Sequence, residues 1–138
     1  MTESSEEERR NTETALAYIA ALNRYEAGEA LAAFFADDVV QEEFPSRLVP
    51  DGRSHDRAAL LERSGRAREL LSSQHYEVRS TLASGSSVAL ELEWRGVMAK
   101  SLGPFREGQE LRAAIAVFLE LENGRIKRQR NYDCYYPF

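Results

Sequence analysis

From Thr12 to Ala27 the apolar positions Ala15, Tyr18, Ile19, Leu22 and Tyr25 recur at helical spacing. That pattern predicts one amphipathic helix, capped by Thr12 and stopped at Gly28. A shorter helix is expected from Glu29 to Phe35, burying Leu31, Phe34 and Phe35. A third should run from about Asp56 to Leu71 after the Pro50-Asp51-Gly52 turn, capped by Ser54 or Asp56. After Ser73 the period changes to two. Tyr76, Val78, Ser80 and Leu82 share one strand face, and Val88, Leu90, Leu92 and Trp94 another beyond the Ser84-Gly85-Ser86 turn, which reads as a hairpin. Two more strands, Leu111 to Glu122 and Arg125 to about Tyr136, meet at the Asn123-Gly124 turn. Helices first and an antiparallel meander afterwards predict an α+β domain whose curled sheet wraps the helices.

Two strands carry more than packing. In the run from Phe34 to Phe44 a helix end and an Asp37-Asp38 turn lead into a strand, with Val39, Gln41 and Glu43 on one face and Val40, Glu42 and Phe44 on the other. One acid of the Glu42-Glu43 pair is therefore turned inward, unless both are solvated charges of an edge strand. In the strand from Leu111 both faces are apolar: Leu111, Ala113, Ile115, Val117, Leu119 and Leu121 on one, Ala114, Ala116 and Phe118 on the other. One face can take the helices and a pocket; the second requires a cover that a chain of this size cannot supply, which predicts a homodimer through the sheet.

At 138 residues the chain has the size of one domain, and a net charge of −5 disfavours a nucleic-acid partner, whose binding draws on excess Lys and Arg. Cys134 is the only cysteine, so no internal disulfide forms and the cytoplasm is the expected location. No apolar run approaches the ~18 residues of a membrane span, and the acidic stretch 1–11 is expected to be a disordered tail before a single domain over 12–138. His55 and His75 lack neighbours at metal-ligand spacing, so no metal is expected; His75, near a strand start, remains able to contact a ligand.

The order of elements resembles the nuclear-transport-factor-2-like (NTF2-like, cystatin-like) superfamily, with its SnoaL-like and ketosteroid-isomerase-like proteins. Two local strings carry the likeness: Tyr18-Ile19-Ala20-Ala21-Leu22-Asn23 leading to Phe35-Ala36-Asp37-Asp38, and Glu122-Asn123-Gly124-Arg125-Ile126 leading to Arg130-Asn131-Tyr132-Asp133. The resemblance covers about Thr12 to Tyr136. It implies a cone of three helices packed in a strongly curved antiparallel sheet around an apolar cavity for a small hydrophobic molecule.

It also implies site residues. In ketosteroid isomerases a first-helix tyrosine donates to the substrate oxygen and an acid after the Ala-Asp-Asp turn shuttles a proton; Tyr18 and Glu43 fall at those positions. That arrangement is itself a worked case of pKa tuning, and it needs a dry site in which base and donor both act strongly. The family's second oxyanion donor corresponds to Ala116, so half of that hole is missing, a loss of about 100- to 1,000-fold in rate. Limonene-epoxide-hydrolase-like members use an Asp-Arg-Asp cluster. Here Asn131 occupies an acid's place, and Glu93-Trp94-Arg95-Gly96 offers no Arg-x-Asp partner. SnoaL-like cyclases need one acid as proton shuttle, a role open to Glu43 or Asp133. Trp94, Phe118 and Asn131 would complete the walls. The resulting expectation is a cofactor-free acid-base enzyme (isomerase, cyclase or lyase) on a hydrophobic carbonyl or polyketide-like compound. A noncatalytic binding or interaction module and an epoxide hydrolase are the alternatives, since a fold alone does not choose among them.

Overall fold

The computed structural model describes residues 3–138. In chain order it contains α1 (Glu3–Asn23), α2 (Glu29–Ala32), β1 (Phe35–Glu43), β2 (Arg53–His55), α3 (Arg57–Leu70), β3 (Leu71–Ser84), β4 (Ser87–Met98), β5 (Glu110–Glu122) and β6 (Arg125–Tyr135). The strands form one sheet in the order β2-β1-β6-β5-β4-β3. Every pair is antiparallel except β1 with β6, which run parallel, so the sheet is mixed rather than purely antiparallel. Its concave face holds the core: Tyr18 and Ile19 from α1, Leu60 from α3, and Leu92, Ile115, Val117 and Ile126 from the strands. Burying a side chain of this size contributes about 1.5–3 kcal/mol against exposure.

Helix α1 starts nine residues earlier than the apolar pattern suggests. The expected disordered tail is helix over 3–11, while Met1 and Thr2 lie outside the described residues. Arg9 bridges Glu6 and Glu13 at 3.1 and 2.7 Å, one turn to either side. Asn11 extends the buried stripe of Ala15, Tyr18 and Ile19, and the Glu8 carboxylate accepts from Gly85 N–H at the β3–β4 turn. The helix also stops early. Tyr25 (φ 56°), three residues before Gly28, takes the left-handed conformation that ends the helix, and Glu26 N–H caps the Ala21 carbonyl at 3.0 Å. Gly28 precedes α2, a single turn, and Phe35 opens β1 instead of closing a helix.

Asp56 caps α3 as expected, accepting from Ala59 N–H at 2.9 Å. The segment Arg53–His55, expected to be loop, pairs antiparallel with β1 as a short edge strand. Gly52 makes this hairpin possible: at φ +68° a Cβ there would lie 2.7 Å from the Glu43 carbonyl. In β3 the expected alternation breaks at a bulge between Val78 and Ser80. The extra residue flips the inward parity, so Thr81 turns in and Leu82 is 74 % exposed.

Candidate functional site

A cavity of about 660 Å³ opens between the concave sheet face and α1 and α3. Strand register sets its walls. Val117, Asn131 and Glu43 form one row across β5, β6 and β1, and Leu92, Ile115 and Asp133 the next, across β4, β5 and β6. Polar residues on β1 and β6 thus face aliphatic ones on β4 and β5 within a single concave surface.

Four side chains make a hydrogen-bonded array along the polar wall. Tyr18 OH donates to Gln129 Oε1 (3.0 Å), Gln129 Nε2 to Asn131 Oδ1 (2.9 Å) and Gln41 Nε2 to the same oxygen (3.2 Å). Gln41 Oε1 is left buried without a partner. The Tyr18 phenol is pushed up to about 12 by burial, which the bond to Gln129 only partly offsets. Tyr18 therefore lines the cavity and braces Gln129; it is not paired with Glu43, as the family pattern implied.

Glu43 does point inward, and it is not isolated. Arg53 Nε, His55 Nε2 (2.9 Å) and Arg63 Nη1 (3.3 Å) all meet its Oε2. His55 Nε2 is also 2.8 Å from Arg63 Nη1, so one ring nitrogen lies between a donor and an acceptor. Burial pushes Glu43 up, yet the hydrogen bonds from Arg53 and His55 and the charges of Arg63 and Arg53 outweigh it. The carboxyl is held below its ordinary range. Glu43 is therefore a paired carboxylate with a lowered pKa, where the resemblance implied a proton-shuttling acid in a dry site. Its partners come from β2, a strand the apolar pattern does not reveal, and from α3. Arg53 and His55 are two residues apart, the spacing that puts both on one side of an extended segment.

Asp133 is the desolvated acid instead. It lies opposite Ile115 on β5, its Oδ1 is buried without a hydrogen bond, and its pKa is pushed up to about 6. Burial is the main cause and the Glu43 charge adds to it, against Arg53 and Arg63. Tyr76 and Tyr135 also line the cavity, and burial together with the nearby Asp133 charge raises both phenols.

Of the remaining candidates, Asn131 and Trp94 line the cavity. The Trp94 indole donates to Gln74 Oε1 at 3.3 Å and lies across Gly96, where a Cβ would come within 2.4 Å of the ring. Three candidates are misplaced. Ala116 and Phe118 sit on the outer face of β5, Phe118 41 % exposed, because the inward parity belongs to Ala113, Ile115 and Val117. His75 is exposed on β3, and Gln74 and Tyr76 take the cavity positions beside it. Among the described residues no group of three His, Cys, Asp or Glu could hold a metal.

A family model described as a SnoaL-like domain matches residues 15–129. No curated protein sequence matches the chain. Among solved structures it is similar to a candidate polyketide cyclase from Xanthomonas campestris pv. campestris (25 % identity, TM-score 0.71, covering 91 % of each chain). It is also similar to a SnoaL-like polyketide cyclase from Agrobacterium tumefaciens (16 %, TM-score 0.67, covering 89 % of this chain and 90 % of that one). An epoxide hydrolase from M. tuberculosis matches at 17 % identity and TM-score 0.72, over 92 % of this chain and 84 % of that one. The last two likenesses, at such identities, show the fold alone.

Proposed function

The chain belongs to the SnoaL-like domain family, and from that premise we propose that it binds a small hydrophobic carbonyl compound of polyketide type and moves a proton on it. Asp133 carries this reading: an inward carboxyl with an unpartnered buried oxygen, tuned to about 6, is matched to taking and returning a proton near neutral pH. Asp133 removes a proton from the carbon beside the carbonyl, which leaves a protonated carboxyl and an enolate. Returning the proton to another carbon gives isomerisation; attack of the enolate on a second carbonyl before its return gives ring closure. The Asn131 amide nitrogen, which has no partner among the described residues, supplies a donor to the enolate oxygen. Glu43, committed to three basic groups, holds charge and shape instead of shuttling protons. The epoxide-hydrolase alternative is disfavoured by β4, whose inward positions are Leu92, Trp94 and Gly96, with Glu93 and Arg95 on the outer face.

Deuterium exchange tests it. In heavy water the protein should speed loss of the α-proton signal from a panel of cyclic β-diketones, and Asp133→Asn should abolish that acceleration while Glu43→Gln retains it. Binding without exchange would assign the pocket to a noncatalytic module.

We also read the outer sheet face as the contact with a second copy of this chain. Phe44 stacks on Tyr132 at 4.5 Å and Phe118 meets Tyr132 edge-on at 5.8 Å, and Val40 is also exposed on β1. A dimer of this kind buries on the order of 1,200 Å² or more. Sedimentation at tens of micromolar should give a dimer that Phe118→Glu dissociates; a wild-type monomer would remove it.

A further inference from the structure

A pocket that took only neutral carbonyl compounds would have no use for the charge on its rim. Arg53 from β2 and Arg63 from α3 both line the cavity, and the side chain of each is 44 % exposed. Each reaches Glu43 Oε2 through one nitrogen, Arg53 by Nε and Arg63 by Nη1. A guanidinium carries five N–H donors. Both terminal nitrogens of Arg53 and the second of Arg63 have no partner among the described residues. Glu43 offsets one of these two permanent cations, and the cluster carries +1 whenever Asp133, whose charge also acts on both arginines, is protonated, in a chain whose net charge is −5. Arg66, also on the cavity wall, is held by Glu62 at 3.4 Å.

We infer that the pocket takes an organic acid, whose carboxylate is clamped by the free N–H groups of Arg53 and Arg63 and whose apolar body lies against Leu92, Trp94 and Ile115. This rests on the pocket being a ligand site, as proposed above, and adds the chemical class of the ligand. Glu43 then acts as the internal counterion: it holds two mutually repelling guanidiniums at one carboxylate oxygen before the ligand arrives. A second negative charge next to Glu43 also favours the protonated form of Asp133, already pushed up by burial and by Glu43 against Arg53 and Arg63, with the Tyr76 and Tyr135 phenols facing it. A higher pKa makes the ionised Asp133 a stronger base for the α-proton it takes.

Trp94 is the only tryptophan and lines the cavity, so its emission reports on occupancy. The test titrates the protein at pH 7 and low salt with a panel of aryl carboxylates, naphthalene-2-carboxylate among them, each beside its primary carboxamide of matched shape. The carboxylates should bind at least ten-fold tighter than their amides, equivalent to about 1.4 kcal/mol. Added salt should shrink that preference, and Arg53→Gln and Arg63→Gln should each reduce it by about ten-fold. Equal affinity for acid and amide, or tighter amides, would overturn the anion clamp while leaving the pocket reading in place. No binding of either class would overturn both. The comparison of ligands on the unaltered protein decides the matter even if a variant fails to fold.

Discussion

Replacing Glu43 with Gln removes the charge on which Arg53, His55 and Arg63 converge while keeping nearly the same shape. The glutamate side chain is 12 % exposed and the histidine 10 %, so that bond is shielded from water; the two arginines at 44 % are not. A shielded hydrogen bond to a charged group contributes about 1.5–3 kcal/mol, and half-exposed ion pairs about 0.2–1 kcal/mol each. A loss of about 2 kcal/mol at pH 7 follows, or roughly 5–8 °C in Tm for a domain of this size. The pH dependence separates charge from packing. Glu43 titrates lower in the folded protein than its ordinary 4.5, so its stabilisation is complete above the unfolded pKa and is lost as pH falls through the folded one. Melting curves of both proteins from pH 8 to pH 3 should therefore converge at the acid end. A variant as stable as the parent at pH 7 would mean that the three contacts contribute nothing, a more stable one that Glu43 is an unpaired, desolvated acid, and a deficit independent of pH would assign its role to packing.

Asp133→Asn should act in the opposite sense. Its folded pKa of about 6 stands above the ordinary 3.8, so the native state is penalised only once pH exceeds the unfolded value, and fully above about 6. The variant should be more stable than the parent at pH 7 to 8, by up to about 3 kcal/mol, and equal to it near pH 3; calorimetric melts giving a less stable variant at pH 7 would mean a satisfied structural carboxylate. Tyr18→Phe leaves Gln129 Oε1 buried without its donor and should cost about 1–3 kcal/mol in urea denaturation. An unchanged midpoint would show that the Tyr18–Gln129–Asn131 array does not brace the wall.

The sequence made the architecture legible because the concave face repeats its signal: Val88, Leu90, Leu92 and Trp94, and the odd-numbered residues from Leu111 to Leu121, alternate without a break. Period-two patterns fail where a bulge shifts parity, as between Val78 and Ser80, and where both faces are apolar, as at Ala116 and Phe118. Alternation put Asn131 and Asp133 on one face and turned one acid of the Glu42-Glu43 pair inward or left both solvated; the family resemblance assigned Glu43, Asn131 and Asp133 to the cavity. Neither determines their electrostatics. Whether a carboxyl is desolvated depends on cross-strand neighbours and on cations from other elements: Ile115 beside Asp133, Arg53 and Arg63 beside Glu43. Neither set is adjacent in the chain, so the sequence leaves the proton-transfer role open between the two acids.

The proposed function requires Asp133 to change charge near neutral pH inside the cavity. Titration of its side-chain carboxyl carbon by NMR, assigned from Asp133→Asn, measures that directly. The carbon should titrate at about 6, and the midpoint should fall in Glu43→Gln, where a neighbouring negative charge is gone. A midpoint at or below the ordinary 3.8 in the parent protein would contradict the assignment and leave the pocket without its proton carrier.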